Sequence, residues 1–209
     1  MNETTIIAHR GFWEKESEKN SYVAFQRALE HGFGIETDIR DCSGRLVISH
    51  NPPKGNEMLV EEFFSLYQSY HIDAFLALNI KADGLQDLLI PLIERYRIKN
   101  YFCFDMSVCD TIPYIEKGLK IASRSSEFEP YLPFYDHSVA VWVDYFKGNT
   151  DIFEEIAKYT DDGKYAYIVS SELHKLPHEN MWKVLKNITG DFYLCTDYPD
   201  KAETYFYGG

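Results

Sequence analysis

The chain has 209 residues, 45% of them hydrophobic and 26% charged, enough for a sizeable core but short for two full domains. Its 21 basic and 33 acidic residues give a net charge of −12, which disfavours nonspecific nucleic-acid binding, a function that needs a basic footprint. No apolar run approaches the roughly 20 residues that span a bilayer, so membrane insertion is not expected.

The opening residues carry neither a basic region nor a long apolar one, so a secretory signal is not expected either. Cys42, Cys103, Cys109 and Cys195 include no C-x-x-C pair. They are expected to be reduced thiols of a cytoplasmic protein, not a disulfide scaffold or a zinc site.

Along the chain, short β-branched or aromatic runs alternate with amphipathic stretches. A strand is predicted at 6–8, a helix at 22–30, and strands at 35–39 and 46–49. A strand at 75–80, a helix at 85–96 and strands at 101–104, 119–122 and 139–143 follow. The series ends with a helix at 152–159, a strand at 165–169, a helix at 181–188 and a strand at 192–195. Residues 41–45 are too few for a crossover helix but suit a hairpin turn. With 46–49 set aside as a hairpin extension of the second strand, eight strands remain, most followed by a helix. That pattern predicts an α/β fold: a compact (β/α)8 barrel forming a single domain over 1–209. Strand count alone leaves a doubly wound open sheet as the alternative.

Nearly every strand run ends in polar or ionisable residues: His9-Arg10, Glu36-x-Asp38, His50-Asn51, Asn79-x-Lys81, Asp105, Arg124, Asp144 and Asp197. In a barrel, the C-terminal strand ends open onto one mouth where substrates bind.

The chemistry of these residues is specific. Gly11 permits a sharp turn directly after His9 and Arg10. The His9 imidazole can move a proton near neutral pH, and the Arg10 guanidinium suits phosphate oxygens. Glu36 and Asp38, two apart on a strand, share one face, where they repel unless a cation or hydrogen-bond network lies between them. Facing a mouth, they suit Mg²⁺ or Ca²⁺. His50 supplies a second imidazole, which makes an acid–base pair for displacement at phosphorus. Lys81 adds positive charge for phosphate oxygens. Trp13 is a candidate for lining the substrate pocket. Each of these residues, taken singly, is also compatible with a structural role.

The ordered set resembles the glycerophosphodiester phosphodiesterases: Ala8-His9-Arg10-Gly11, Asn20-Ser21, Gly34-Ile35-Glu36-Thr37-Asp38-Ile39, Gly44 and Val47 before His50-Asn51, Asn79-Ile80-Lys81 and Thr196-Asp197-Tyr198-Pro199-Asp200. The resemblance implies a (β/α)8 barrel that hydrolyses a small-molecule phosphodiester, typically to glycerol 3-phosphate and an alcohol. It implies His9 and His50 as general acid and base, and Arg10 and Lys81 as phosphate ligands. It also implies Glu36 and Asp38 as ligands of a divalent cation.

Three departures from the pattern stand out. Asn79 occupies the place of the family's third ligand, a Glu, and can ligate only through its amide oxygen. Asp105 and Asp144 are the candidates to replace the missing carboxylate. Lys19 replaces a Glu, and Asn51 replaces an Asp after the hairpin His. These changes keep two further readings open: a barrel that binds a phosphorylated ligand without turnover, and a phospholipase-like lyase that forms a cyclic phosphate.

Overall fold

The computed structural model describes residues 4–129, 131–148, 153–188 and 191–208. In chain order the elements begin with β1 (Thr4–His9), α1 (Tyr22–Glu30), β2 (Gly34–Cys42), β3 (Arg45–Ile48), α2 (Val60–Ser69) and β4 (Leu76–Ile80). Next come α3 (Gln86–Arg95), β5 (Tyr101–Phe104), α4 (Val108–Glu116), β6 (Ala122–Ser125) and β7 (Ala140–Val143). The chain ends with α5 (Phe153–Asp161), β8 (Tyr165–Val169), α6 (Glu179–Leu185), β9 (Phe192–Thr196) and α7 (Pro199–Tyr207).

The strand order is β5-β4-β2-β1-β9-β8-β7-β6, with β3 set aside as an antiparallel partner of β2. A parallel bridge joins Cys103 to Ile121, and Cys103 N–H donates to Lys120 O at 2.8 Å. This bridge ties β5 to the segment that runs straight into β6, so the fold is a (β/α)8 barrel rather than an open sheet. The hairpin extension lies where the sequence places it, after the second strand.

Two compact units divide the chain: Ala8–Ile121, and Met1–Ile7 with Ala122–Gly209. In the first, β2 is buried without a break from Gly34 to Ile39, as expected of a parallel strand covered on both faces. Against it α1 presents Ala24, Phe25, Ala28 and Leu29, a helical stripe that also meets α2 through Phe25 and Phe63, whose ring centroids are 4.5 Å apart. Burying each such phenylalanine contributes about 1.5–3 kcal/mol. Ser21 caps α1 by accepting from Ala24 N–H at 3.4 Å. In the second unit, Trp142, Tyr167, Trp182 and Phe192 fill the core, and Tyr167 stacks on Tyr193 with centroids 4.2 Å apart.

One strand is displaced from its predicted place. The apolar run at 119–122 only leads into β6, whose residues Ser123 and Ser125 are polar yet buried. Ser123 can be strand because its hydroxyl meets Pro133 O and Ser138 Oγ, both at 2.7 Å. A hydropathy pattern does not reveal such partners, ten and fifteen residues away in the chain. Helices α2, α4 and α7 add to those singled out from sequence. α4 carries Pro113 internally and α7 opens on Pro199. Residue 152 of the helix predicted at 152–159 and the first three residues lie outside the described residues. None of the four cysteines forms a disulfide. No helix among the described residues is long and apolar enough to cross a membrane.

Candidate active site

The site is built on one turn. β1 ends at His9, and the chain then takes two left-handed residues, Arg10 at φ 57° and Gly11 at φ 84°. Arg10 N–H donates to Glu36 O at 2.9 Å and lies 3.2 Å from Glu36 Oε2, which ties the turn to β2. Phe12 N–H donates to Ala24 O at 2.9 Å, pressing the turn onto α1. A Cβ on Gly11 would lie 2.8 Å from the Ala24 carbonyl carbon. Glycine is thus required twice over, by conformation and by space.

Asp38 is the hub. Its side chain is fully buried, with Arg10 Nε 3.1 Å from Oδ2 in an ion pair that is not aligned as a hydrogen bond. Lys81 Nζ lies 3.6 Å from Oδ1 and 3.8 Å from Asp105 Oδ2. Two cations around one buried carboxylate offset its desolvation, and all three charges are held in a single arrangement. Lys81 is placed by its own N–H, which donates to Ile39 O at 2.9 Å.

Glu36, two residues earlier on the same face, is 2% exposed, and its Oε2 is 3.8 Å from His9 Nε2. Burial and the neighbouring Asp38 charge push its carboxyl up to about 7, against the pull of His9, Arg10 and Lys81. The β2–β4 register sets Asp38 beside Asn79. Asp38 Oδ1 and Asn79 Oδ1 are both buried without a hydrogen bond. Unsatisfied buried oxygens beside a carboxylate that resists ionisation are what a hard cation corrects, so this oxygen donor set fits Mg²⁺ or Ca²⁺. No group of three or more His, Cys, Asp or Glu side chains suited to a metal occurs among the described residues. Asp144, one of the two candidates for a third carboxylate, pairs with His174 Nε2 at 2.6 Å. Asp105 is engaged with Lys81.

His50 follows the hairpin and is exposed. Its backbone is fixed on both sides: Ser49 N–H donates to Asp38 O at 3.0 Å, and Arg40 Nε donates to His50 O at 3.2 Å. Nδ1 lies 3.2 Å from Asn51 Oδ1. With that oxygen as acceptor, Nδ1 holds the proton and Nε2 is the nitrogen available for exchange. His50, Asn51, Arg10, Lys19 and Asn20 line one groove of about 920 Å³. Trp13 is joined to the site by its indole N–H, which donates to His9 O at 3.1 Å.

Sequence reasoning passed over the function of Asn20. At φ 59°, it donates its backbone N–H to Arg10 O at 2.9 Å. Its side chain donates to Asp38 Oδ2 and accepts from Thr37 Oγ1, both at 2.8 Å. It therefore fixes both the Arg10 turn and the Asp38 carboxylate. The one available signal was its place in the Asn20-Ser21 pair ahead of α1.

No family model and no curated protein sequence matches the chain. Among solved structures it is similar to a provisionally assigned glycerophosphodiester phosphodiesterase from Galdieria sulphuraria, at TM-score 0.77 and 18% identity over 98% of each chain. It is also similar to a glycerophosphodiester phosphodiesterase from Agrobacterium tumefaciens, at TM-score 0.70 and 15% identity over 99% of this chain and 100% of that one. A phosphodiesterase from Oleispira antarctica, in complex with its product sn-glycerol-3-phosphate, gives TM-score 0.67 and 12% identity over 96% of each chain. At these identities the likeness establishes the shared fold.

Proposed function

We propose that this chain is a phosphoric diester hydrolase that cleaves a small glycerophosphodiester to a phosphomonoester, such as glycerol 3-phosphate, and an alcohol. The observation that carries this reading is the convergence of Arg10 and Lys81 on the buried Asp38 carboxylate, with His9 beside the neighbouring Glu36 and His50 in the groove that Arg10 also lines. The fold likeness to phosphodiesterases supports it.

In the proposed reaction, one imidazole removes a proton from water as the water oxygen bonds to phosphorus. The bond from phosphorus to the alcohol oxygen breaks, and the other imidazole protonates the departing alkoxide. His9 and His50 fill these two roles. Arg10 and Lys81 hold the nonbridging oxygens, where negative charge concentrates in the transition state. Asn20 and Thr37 keep Asp38 oriented, so both cations retain their positions through turnover. Glu36, Asp38 and Asn79 would hold a divalent cation, which when bound supplies further positive charge to the phosphate oxygens.

His9→Ala and His50→Ala are each expected to lower kcat by about 10²–10⁴-fold while glycerol 3-phosphate still binds. Steady-state assays against glycerophosphodiesters, paired with calorimetry, make the comparison. Full activity in either variant would remove that histidine from the mechanism. Binding by the wild-type chain without turnover would select the non-catalytic alternative.

Asn79→Ala is expected to weaken Mg²⁺ or Ca²⁺ binding by roughly tenfold or more in calorimetry. Unchanged affinity would take Asn79 out of the ligand set.

A further inference from the structure

Beside the catalytic residues stands a cation that the proposed reaction does not use. Lys19 Nζ lies 4.3 Å from the centroid of the Trp13 ring, and the Trp13 indole is fixed to His9 O at 3.1 Å. Lys19 precedes Asn20, whose backbone and side chain are bonded to Arg10, Thr37 and Asp38. Its position is therefore set by the same network that sets the site. The side chain is only 22% exposed, so water screens it less than a surface lysine.

The groove that Lys19 lines with Arg10 and His50 also contains Lys54, Glu16 and Glu57. Glu57 has its carboxylate turned onto the backbone N–H groups of Lys54 and Gly55, at 2.6 and 2.8 Å, and these hold it below the usual carboxylate range. Glu16 is 3.8 Å from Lys19 Nζ but 87% exposed, so solvent screens that pair strongly. An exposed aromatic face is in general a ready platform for a quaternary ammonium group. Here that face already carries the protein's own ammonium.

We infer that the Lys19–Trp13 pair selects the alcohol half of the substrate, favouring head groups with an additional anionic group and rejecting quaternary ammonium head groups. The inference rests on the phosphodiesterase reading and deepens it. Lys19 acts as a specificity residue: its ammonium attracts a carboxylate or second phosphate on the alcohol side, and repels a trimethylammonium that would compete for the Trp13 ring.

The test compares three diesters, glycerophosphocholine, glycerophosphoglycerol and glycerophosphoinositol 4-phosphate, on the wild-type chain, Lys19→Met and Lys19→Glu. Both kcat/KM and calorimetric Kd are measured. For the wild type, kcat/KM for the phosphoinositol diester is expected to exceed that for the choline diester by at least about tenfold. Lys19→Met should shrink that ratio, and Lys19→Glu should invert it. An unchanged ratio in Lys19→Glu, with all three diesters still hydrolysed, would overturn the inference and leave the phosphodiesterase reading intact. Absence of turnover for every diester would count against hydrolysis. In that case the order of the three Kd values and its response to Lys19→Glu decide the inference separately, and failure to bind any diester overturns both. Circular dichroism and thermal unfolding of each variant separate a lost preference from a lost fold.

Discussion

Asp38→Ala is expected to abolish detectable turnover and to destabilise the protein by about 3 kcal/mol. Removing one member of a buried ion pair typically costs about 3–5 kcal/mol, because the partner charge loses its compensation. The lower end applies here, since Arg10 and Lys81 retain 22% and 21% side-chain exposure and can recover some hydration. The Asn20 amide also loses the acceptor it meets at 2.8 Å.

Activity should fall by about 10³-fold or more, because the two cations proposed to hold the phosphate are no longer held in register. Asp38→Asn keeps the volume and removes only the charge, so it should recover part of the stability and little of the rate. Urea midpoints with initial rates give both quantities. A variant as stable and active as the wild type would refute the hub role of Asp38.

Gly11→Ala should be the more damaging change to folding, at about 3–4 kcal/mol. Two costs add. A non-glycine residue at φ 84° is strained by about 1–2 kcal/mol. The new methyl must also displace the Ala24 backbone, 2.8 Å away, and with it the first turn of α1. Gly44 provides the comparison: it sits at φ 77° in the β2–β3 turn and has nothing within 4 Å of its would-be Cβ. Gly44→Ala should therefore show only the conformational cost, about 1–2 kcal/mol. Equal losses at the two positions in thermal unfolding would mean that the approach to Ala24 contributes nothing.

Much of this arrangement was legible before any coordinates, for a physical reason. β2 and β4 are buried strands, so their hydropathy marks them, and two-residue spacing places Glu36 with Asp38 and Asn79 with Lys81 on common faces. Which carboxylate becomes the hub was not legible. That depends on the β2–β4 register and on how far Arg10 and Lys81 reach, neither of which a single strand encodes.

Asn20 escaped for a related reason. It lies in a nonperiodic loop at φ 59°, and its three bonds go to residues 10, 37 and 38. β6 was misplaced because its buried serines are satisfied by partners ten or more residues away. Polarity in the sequence says nothing about such compensation.

The antiparallel pairing of β2 with β3, in which Ile39 faces Ile48 and Ser49 N–H meets Asp38 O, has a mechanical consequence. The backbone that delivers His50 is clamped to the strand that bears both site carboxylates. A slip of a single residue in that ladder would reverse the facing of every side chain on β3 and carry His50 out of step with Asp38. On the proposed mechanism the hairpin acts as a gauge block between proton transfer and charge stabilisation.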